Sequence, residues 1–207
     1  LIILRASDAT SLDPHFITDI PSANIIHGKV YETLIAFDKD RNFQPLLAKS
    51  WEQVDDTTWT FELNEGIKFH DGTDFNAEAV KTTFDRLFDP ATGSPQKDKL
   101  SMITEVIVND TYSVSMKLAS PYAGLLSILA SNEGSIISPK AIAESGDKLK
   151  TAPVGTGPFV FKSWTSGQSI ELETNQDYWG NVPAFNKLTF KIVPEDATRI
   201  AMVENGE

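Results

Sequence analysis

The apolar positions of this chain alternate between two rhythms, one of period 2 and one close to 3.6, without settling into a regular strand–helix repeat. Residues 1–5 read as a short buried strand, followed by a polar, proline-containing loop from Ser7 to Pro21. Ile26, Val30, Leu34 and Phe37, spaced 4, 4 and 3, predict one face of a helix that begins near Ser22. Trp59, Phe61 and Leu63 alternate with polar residues as a strand with one wet face. Asn76 is the expected N-cap of a second helix, with Glu78 in its first turn and Phe75 and Val80 at staple positions. Val80, Phe84 and Leu87 continue its buried stripe until Asp89-Pro90. Val106 and Val108, a turn at Asn109-Asp110, and Tyr112, Val114, Met116 and Leu118 predict a β-hairpin.

Further along, residues 122–130 suit a short buried helix, and Ser138-Pro139 with Gly146 frame another. Phe159, Phe161, Ile170 and Leu172 flank a turn at Thr165–Gln168, a second hairpin. Leu188, Phe190 and Ile192 form a further strand. A helix from Glu195 to Asn205 is expected to bury Ile200 and Val203; with no later partner for that face, and with a strand opening directly at Leu1, the chain reads as trimmed. The mixture without βαβ regularity predicts a mixed α/β fold.

Composition narrows the function classes. The 207 residues carry 18 Lys and Arg against 29 Asp and Glu, a formal charge of −11, so nucleic acid and anionic lipid are unfavourable partners. There is no cysteine, which removes disulfides, Cys-based zinc sites and thiol catalysis. The longest strongly apolar run, Leu125 to Ala130, is far too short to span a bilayer. His15, His27 and His70 lack metal-pair spacing and read as loop or surface histidines, so no metal site and no cofactor is expected. His70-Asp71 offers a catalytic dyad on paper, but Asp71-Gly72 is a turn signal, and a turn is the preferred reading. Gly155-Thr156-Gly157-Pro158 lacks the lysine and helix of a phosphate loop and reads as a backbone crossing point. Trp51, Trp164 and Trp179 sit beside loops, with packing as the default role. No nucleophile, base and orienter assemble, so no catalytic residue is named.

One ordered series of strings is more specific. Ser11-Leu12-Asp13-Pro14-His15, Val30-Tyr31-Glu32-Thr33-Leu34, Pro45 to Glu52, Thr58 to Leu63, Gly66 to Thr73, Asn76 to Val80, Gly155 to Phe159 and Asn175 to Gly180 follow one another along the chain. This series resembles the family 5 extracellular solute-binding proteins of ABC importers, the peptide- and nickel-binding group, from about Leu4 to Glu207.

The resemblance implies a periplasmic-binding-protein-like fold of type II. The chain would be its first lobe, with the second lobe absent. That lobe would comprise a larger α/β subdomain from 1–31 and 140–207, and a smaller inserted one from 32–139. It implies a ligand held between lobes that close by a hinge, facing Thr18, Asp19, Ile20 and Pro21, and also Gln96 and Ser131-Asn132. Ser131-Asn132 stand where the family commonly has His-Pro. The implied protein is not an enzyme. It is a monomeric binder of oligopeptides or dipeptides that delivers them to an ABC permease. Its implied location is periplasmic or extracellular, anchored to the membrane as a lipoprotein when full-length. Binders of glutathione-like, metal-chelate or other small solutes are the alternative within the family, and a peptide hydrolase using His70 and Asp71 is the alternative outside it.

Overall fold

The computed structural model of the chain describes residues 1–206. In chain order the elements are β1 (Ile2–Arg5), α1 (Ile20–Ile26), β2 (Ile35–Phe37), β3 (Phe43–Pro45), β4 (Ala48–Asp55), β5 (Thr58–Leu63) and α2 (Ala77–Phe88). There follow β6 (Ile103–Asp110), β7 (Ser113–Leu118), α3 (Leu125–Leu129), α4 (Pro139–Ser145), β8 (Phe159–Thr165), β9 (Ser169–Thr174), β10 (Lys187–Ile192) and α5 (Asp196–Glu204). One sheet has the order β4-β5-β7-β6 and is antiparallel throughout. A second four-stranded sheet runs β1-β10-β9-β8, with β1 parallel to β10, and β2 and β3 pair as a small two-stranded sheet.

Each four-stranded sheet has its own apolar core. Phe61, Leu63, Val114 and Met116 face α2, whose Val80, Phe84 and Leu87 pack into the same cluster. The helix starts where the chain chemistry places it, with the Asn76 side chain accepting from the Ala79 N–H, and Phe75 and Val80 both fully buried. The second cluster joins Leu12, Ile25, Tyr31, Ile137, Leu172 and Phe190. The first cluster draws on residues 34–136, and the second on 9–31 and 137–190.

Hydrogen bonds lace the two cores together at a seam: the His70 N–H donates to the Gly155 carbonyl at 2.9 Å, and Arg86 reaches the Asp13 carboxylate at 2.6 Å. The second core's side of that seam is a crossing of its own two segments. Gly157 and Phe159 donate their N–H groups to the carbonyls of Val30 and Lys29 at 3.0 and 2.9 Å, so residues 29–31 and 155–159 cross backbone to backbone. A methyl group on Gly155 or Gly157 would lie 2.1 or 2.3 Å from those carbonyl oxygens, which is why glycine stands at both positions. Beside the crossing, the buried Glu32 carboxylate accepts from Thr156 Oγ1 at 2.8 Å, Tyr178 OH at 2.6 Å and Trp179 Nε1 at 2.9 Å. Burial raises its pKa, and the three donors oppose that rise. Three of the separate strings in the sequence thus converge on one carboxylate.

Several expectations are corrected. The helix near Ser22 stops at Ile26, and Gly28 turns the chain with φ of 66°. Val30 and Leu34 are buried as their spacing requires, but outside any helix, because residues 29–30 give their carbonyls to the 157–159 segment. The hairpin turn is at Thr111-Tyr112. Asn109 and Asp110 remain in β6, with a register shift between Val108 and Asp110 and the Asp110 carboxylate accepting from the Tyr112 N–H. The strand β1 lies at the edge of its sheet. On α5, Met202 is the buried residue, whereas Ile200 and Val203 are 59% and 67% exposed and line an open depression with Leu4 of β1.

His15 is not a surface residue. It is buried with Asp13, and Arg86 grips both, bidentate on the Asp13 carboxylate at 2.6 and 3.1 Å and 2.9 Å from His15 Nδ1. His27 and His70 are half-buried.

Candidate functional site

Asp19 ends the loop after β1 and caps α1, its carboxylate accepting from the Ser22 N–H at 2.8 Å, Ser22 Oγ at 2.9 Å and Thr10 Oγ1. Burial raises its pKa, but these hydrogen bonds and the nearby Arg5 charge outweigh that, so the carboxyl titrates below its ordinary value. Arg5 also donates to the Pro21 carbonyl at 2.8 Å, tying the loop to β1. Across from it, Gly134 closes a 3₁₀ turn, Asn132–Gly134, tightly against the end of α3; a methyl group there would sit 2.2 Å from the Leu129 carbonyl oxygen. That close approach fixes the direction of Asn132 and Glu133.

Between these pieces opens a pocket of about 190 Å³ lined by Ile17, Thr18, Asp19, Ile20, Ala23, Lys99, Asn132 and Glu133. Its walls come from both sides of the seam. Residues 17–23 belong to the segment of the second core, and Lys99, Asn132 and Glu133 to that of the first. Lys99 and Glu133 form an ion pair at 2.6 Å. His27 is held below its ordinary pKa by burial and by Lys29, against the pull of Glu133.

Of the seven candidate residues, the structure brings Thr18, Asp19, Ile20 and Asn132 to this pocket. Pro21, Gln96 and Ser131 do not line it. The Ser131 hydroxyl turns back to the Ser127 carbonyl at 2.8 Å, and Gln96 is buried on a loop that Ser94 pins to the His15 carbonyl. The side-chain oxygens of Gln96 and Asn132 are both buried with no partner among the described residues. Lys99, Glu133, Ile17 and Ala23 escaped the sequence reading; the only signal for Glu133 was its place next to Asn132. His70 and Asp71 do not form a dyad. His70 Nε2 lies 2.8 Å from the Gly157 carbonyl, and Asp71 accepts from Thr73 and from the Ser138 hydroxyl that caps α4. Both therefore serve the seam.

A two-core α/β unit with a small pocket across its seam has the form of a small-ligand binding unit. Residues 42–207 match the family described as bacterial extracellular solute-binding proteins, family 5 middle, and the chain belongs to that family. Over 209 aligned positions it is 34% identical to the glutathione-binding protein GsiB of Escherichia coli strain K12, the alignment taking in 100% of this chain and 41% of that protein. It is similar to the periplasmic binding protein DppA from Helicobacter pylori, solved in complex with the peptide STSA, with a TM-score of 0.91, 31% identity and coverage of 100% of this chain and 45% of that one. With the dipeptide-binding protein from Pseudoalteromonas sp. SM9913, in complex with Met-Leu, the TM-score is 0.92, the identity 27% and the coverage 100% and 46%. The chain thus matches the first lobe of such proteins, the second lobe lies outside its residues, and it spans about two-fifths of the length of the curated relatives it matches.

Proposed function

We propose that the full protein is the substrate-binding component of an ABC importer that captures oligopeptides or dipeptides outside the cytoplasmic membrane and delivers them intact to a permease. The observation that carries this reading is the pocket at the seam, where a capped loop and a glycine-locked turn present Thr18, Ile20 and Asn132 to one small space. Capture followed by release needs affinity that differs between open and closed states, not bond-making chemistry, and the protein is read as a binder and not as an enzyme. The ligand contacts proposed here are Thr18, Asp19, Ile20 and Pro21, with Gln96, Ser131 and Asn132 opposite. The two apolar cores support dividing the lobe into one subdomain from 1–31 and 140–207 and another from 32–139. The working protein is proposed to be a monomer, periplasmic or extracellular, and held at the membrane as a lipoprotein.

A glutathione-type ligand is the second reading, favoured by the 34% identity to GsiB. The experiment is to incubate the full-length protein with a di- and tripeptide library and, separately, with glutathione, and to analyse retained molecules by mass spectrometry. Enrichment of intact peptides supports peptide capture. Retention of glutathione alone moves the assignment to the second reading, and peptide fragments would sink the binding-only view.

A further inference from the structure

His15 stands where both walls of the pocket begin. Two residues on, the chain reaches Ile17 and the loop that lines one wall. Its carbonyl accepts from Ser94 Oγ at 2.6 Å, and that hydroxyl oxygen accepts from the Gln96 N–H at 3.1 Å. The Gln96 carbonyl in turn takes the N–H of Lys99, on the other wall, at 3.1 Å. The buried ring is held from α2. A guanidinium only donates, so Arg86, 2.9 Å from Nδ1, makes that nitrogen the acceptor and leaves the ring proton on Nε2. Asp13 takes the rest of the guanidinium, and its carboxylate also accepts from the His15 N–H at 3.0 Å.

This arrangement has no place for a second proton. The one ring lone pair of neutral His15 is the one Arg86 occupies, so protonation sets two donors face to face. The Nε2 N–H is buried with no acceptor among the described residues. The other titratable and charged groups around the ring are Asp13 in its own loop, Lys150 and its ion-pair partner Asp147 after α4, and the Tyr31 hydroxyl, kept neutral by burial. Lys150 lies 4.1 Å and Arg86 5.9 Å from the ring of Phe16, the next residue, so cations border the loop on that side. Asp13 favours an imidazolium but is already bidentate to Arg86.

We propose that His15 is a positioning residue for the pocket and that its contact with Arg86 is a latch released by acid, which loosens both walls together and lowers affinity for the ligand. The inference rests on the capture reading above and adds a regulation to it: ligand is held near neutral pH and let go in acid.

The test uses the full-length protein and the di- and tripeptide pool, with retention measured between pH 7 and 4. His15→Asn offers Arg86 an acceptor that does not titrate, and His15→Gln serves if the asparagine variant does not fold. Carboxylates of pocket and peptides titrate in every chain, His15 in wild type alone. Between pH 7 and 4 wild type is expected to lose at least about tenfold more of its retention than either variant loses of its own. Hydrogen exchange without peptides, corrected for the intrinsic effect of pH, is expected to rise in wild type over residues 13–20 and 94–99 while α2 and β9 stay protected. Parallel losses of retention in wild type and variants, or no gain of exchange in those two segments over α2, overturns the latch and leaves capture standing. Retention of no peptide at pH 7 overturns the capture reading, and the exchange pattern of wild type then decides the latch alone, as it does if neither variant folds.

Discussion

At the residue scale, two buried titratable groups govern how the seam responds to change. Glu32 gathers three donors, so its truncation and its conservative replacement should differ widely. Glu32→Ala leaves the Thr156, Tyr178 and Trp179 donors without an acceptor and is expected to cost about 3 kcal/mol. Glu32→Gln keeps one oxygen for Thr156 and Trp179 and turns its amide to the Tyr178 hydroxyl, which rotates to accept; the loss should stay within about 1 kcal/mol. Urea unfolding of both variants checks this, and equal losses would dismiss the carboxylate as the organiser. His15 sets a pH dependence. Burial lowers its pKa from 6.5 to about 4, with Arg86 adding to the effect and Asp13 opposing it. Between those values the unfolded chain holds a proton that the folded chain refuses, so stability falls as pH drops from 6.5 to 4, by up to about 3 kcal/mol. Glu32 acts in the opposite sense. Its raised pKa contributes stability that is present below its unfolded value and is lost as pH rises through the folded one. His15→Asn keeps an acceptor for Arg86 without a titration, and its thermal melts between pH 6.5 and 4 should show a flatter decline than wild type.

At the scale of elements, legibility followed locality. The helix α2 was readable because its cap, its staple and its buried stripe all lie within its own residues and agree. The segment from Gly28 to Phe37 was not, because Lys29 and Val30 find backbone partners in residues 157–159, far along the chain, and Thr33 to Phe37 find theirs in residues 43–48, and these overrule a helical spacing that burial alone would satisfy. The site divides in the same way. Thr18, Asp19, Ile20 and Asn132 entered through family resemblance and meet at the pocket, whereas Glu133 reaches it because Gly134 folds its turn onto α3, and Lys99 comes from a separate turn to pair with it. The loop also permits a test of main-chain recognition. Ile20 is the first residue of α1, its N–H has no partner among the described residues, and Asp19 before it is extended with φ −123° and ψ 145°. Proline fits such a position without disturbing the helix. Ile20→Pro should therefore fold normally yet weaken ligand binding by about 0.5–1.5 kcal/mol more than Ile20→Ala, which keeps the N–H. Calorimetric titration of the two variants decides the matter, and identical affinities would remove this N–H from the site.

At the scale of the whole molecule, function depends on the two cores holding one register, since the pocket takes residues 17–23 from one side and Lys99, Asn132 and Glu133 from the other. The chain passes between the cores only at residues 32–33 and 136–137, yet many hydrogen bonds span the gap. Ile136 donates to the Glu32 carbonyl, Thr83 bonds both the N–H and the carbonyl of Ile137, and the His70 N–H reaches the Gly155 carbonyl at 2.9 Å. A seam this dense should make the cores unfold together. Trp59 packs against the first core and Trp164 against the second. In two chains, Trp59→Phe and Trp164→Phe, which both keep the Trp179 bond to Glu32, the fluorescence lost relative to the parent gives each tryptophan's own denaturation curve, and the two curves should coincide. Gly157→Ala drives a methyl group to 2.3 Å from the Lys29 carbonyl oxygen, which forces the crossing apart. In that background the Trp164 curve should move to lower denaturant while the Trp59 curve follows it only in part, and ligand binding should be lost before the first core melts. Separate transitions in the parent chains, or coincident ones that survive the alanine, would mean that the second core's crossing, which meets the first core through the His70 bonds to the Gly155 and Gly157 carbonyls, does not pass stability between them, and the pocket would then have to keep its shape by some other contact.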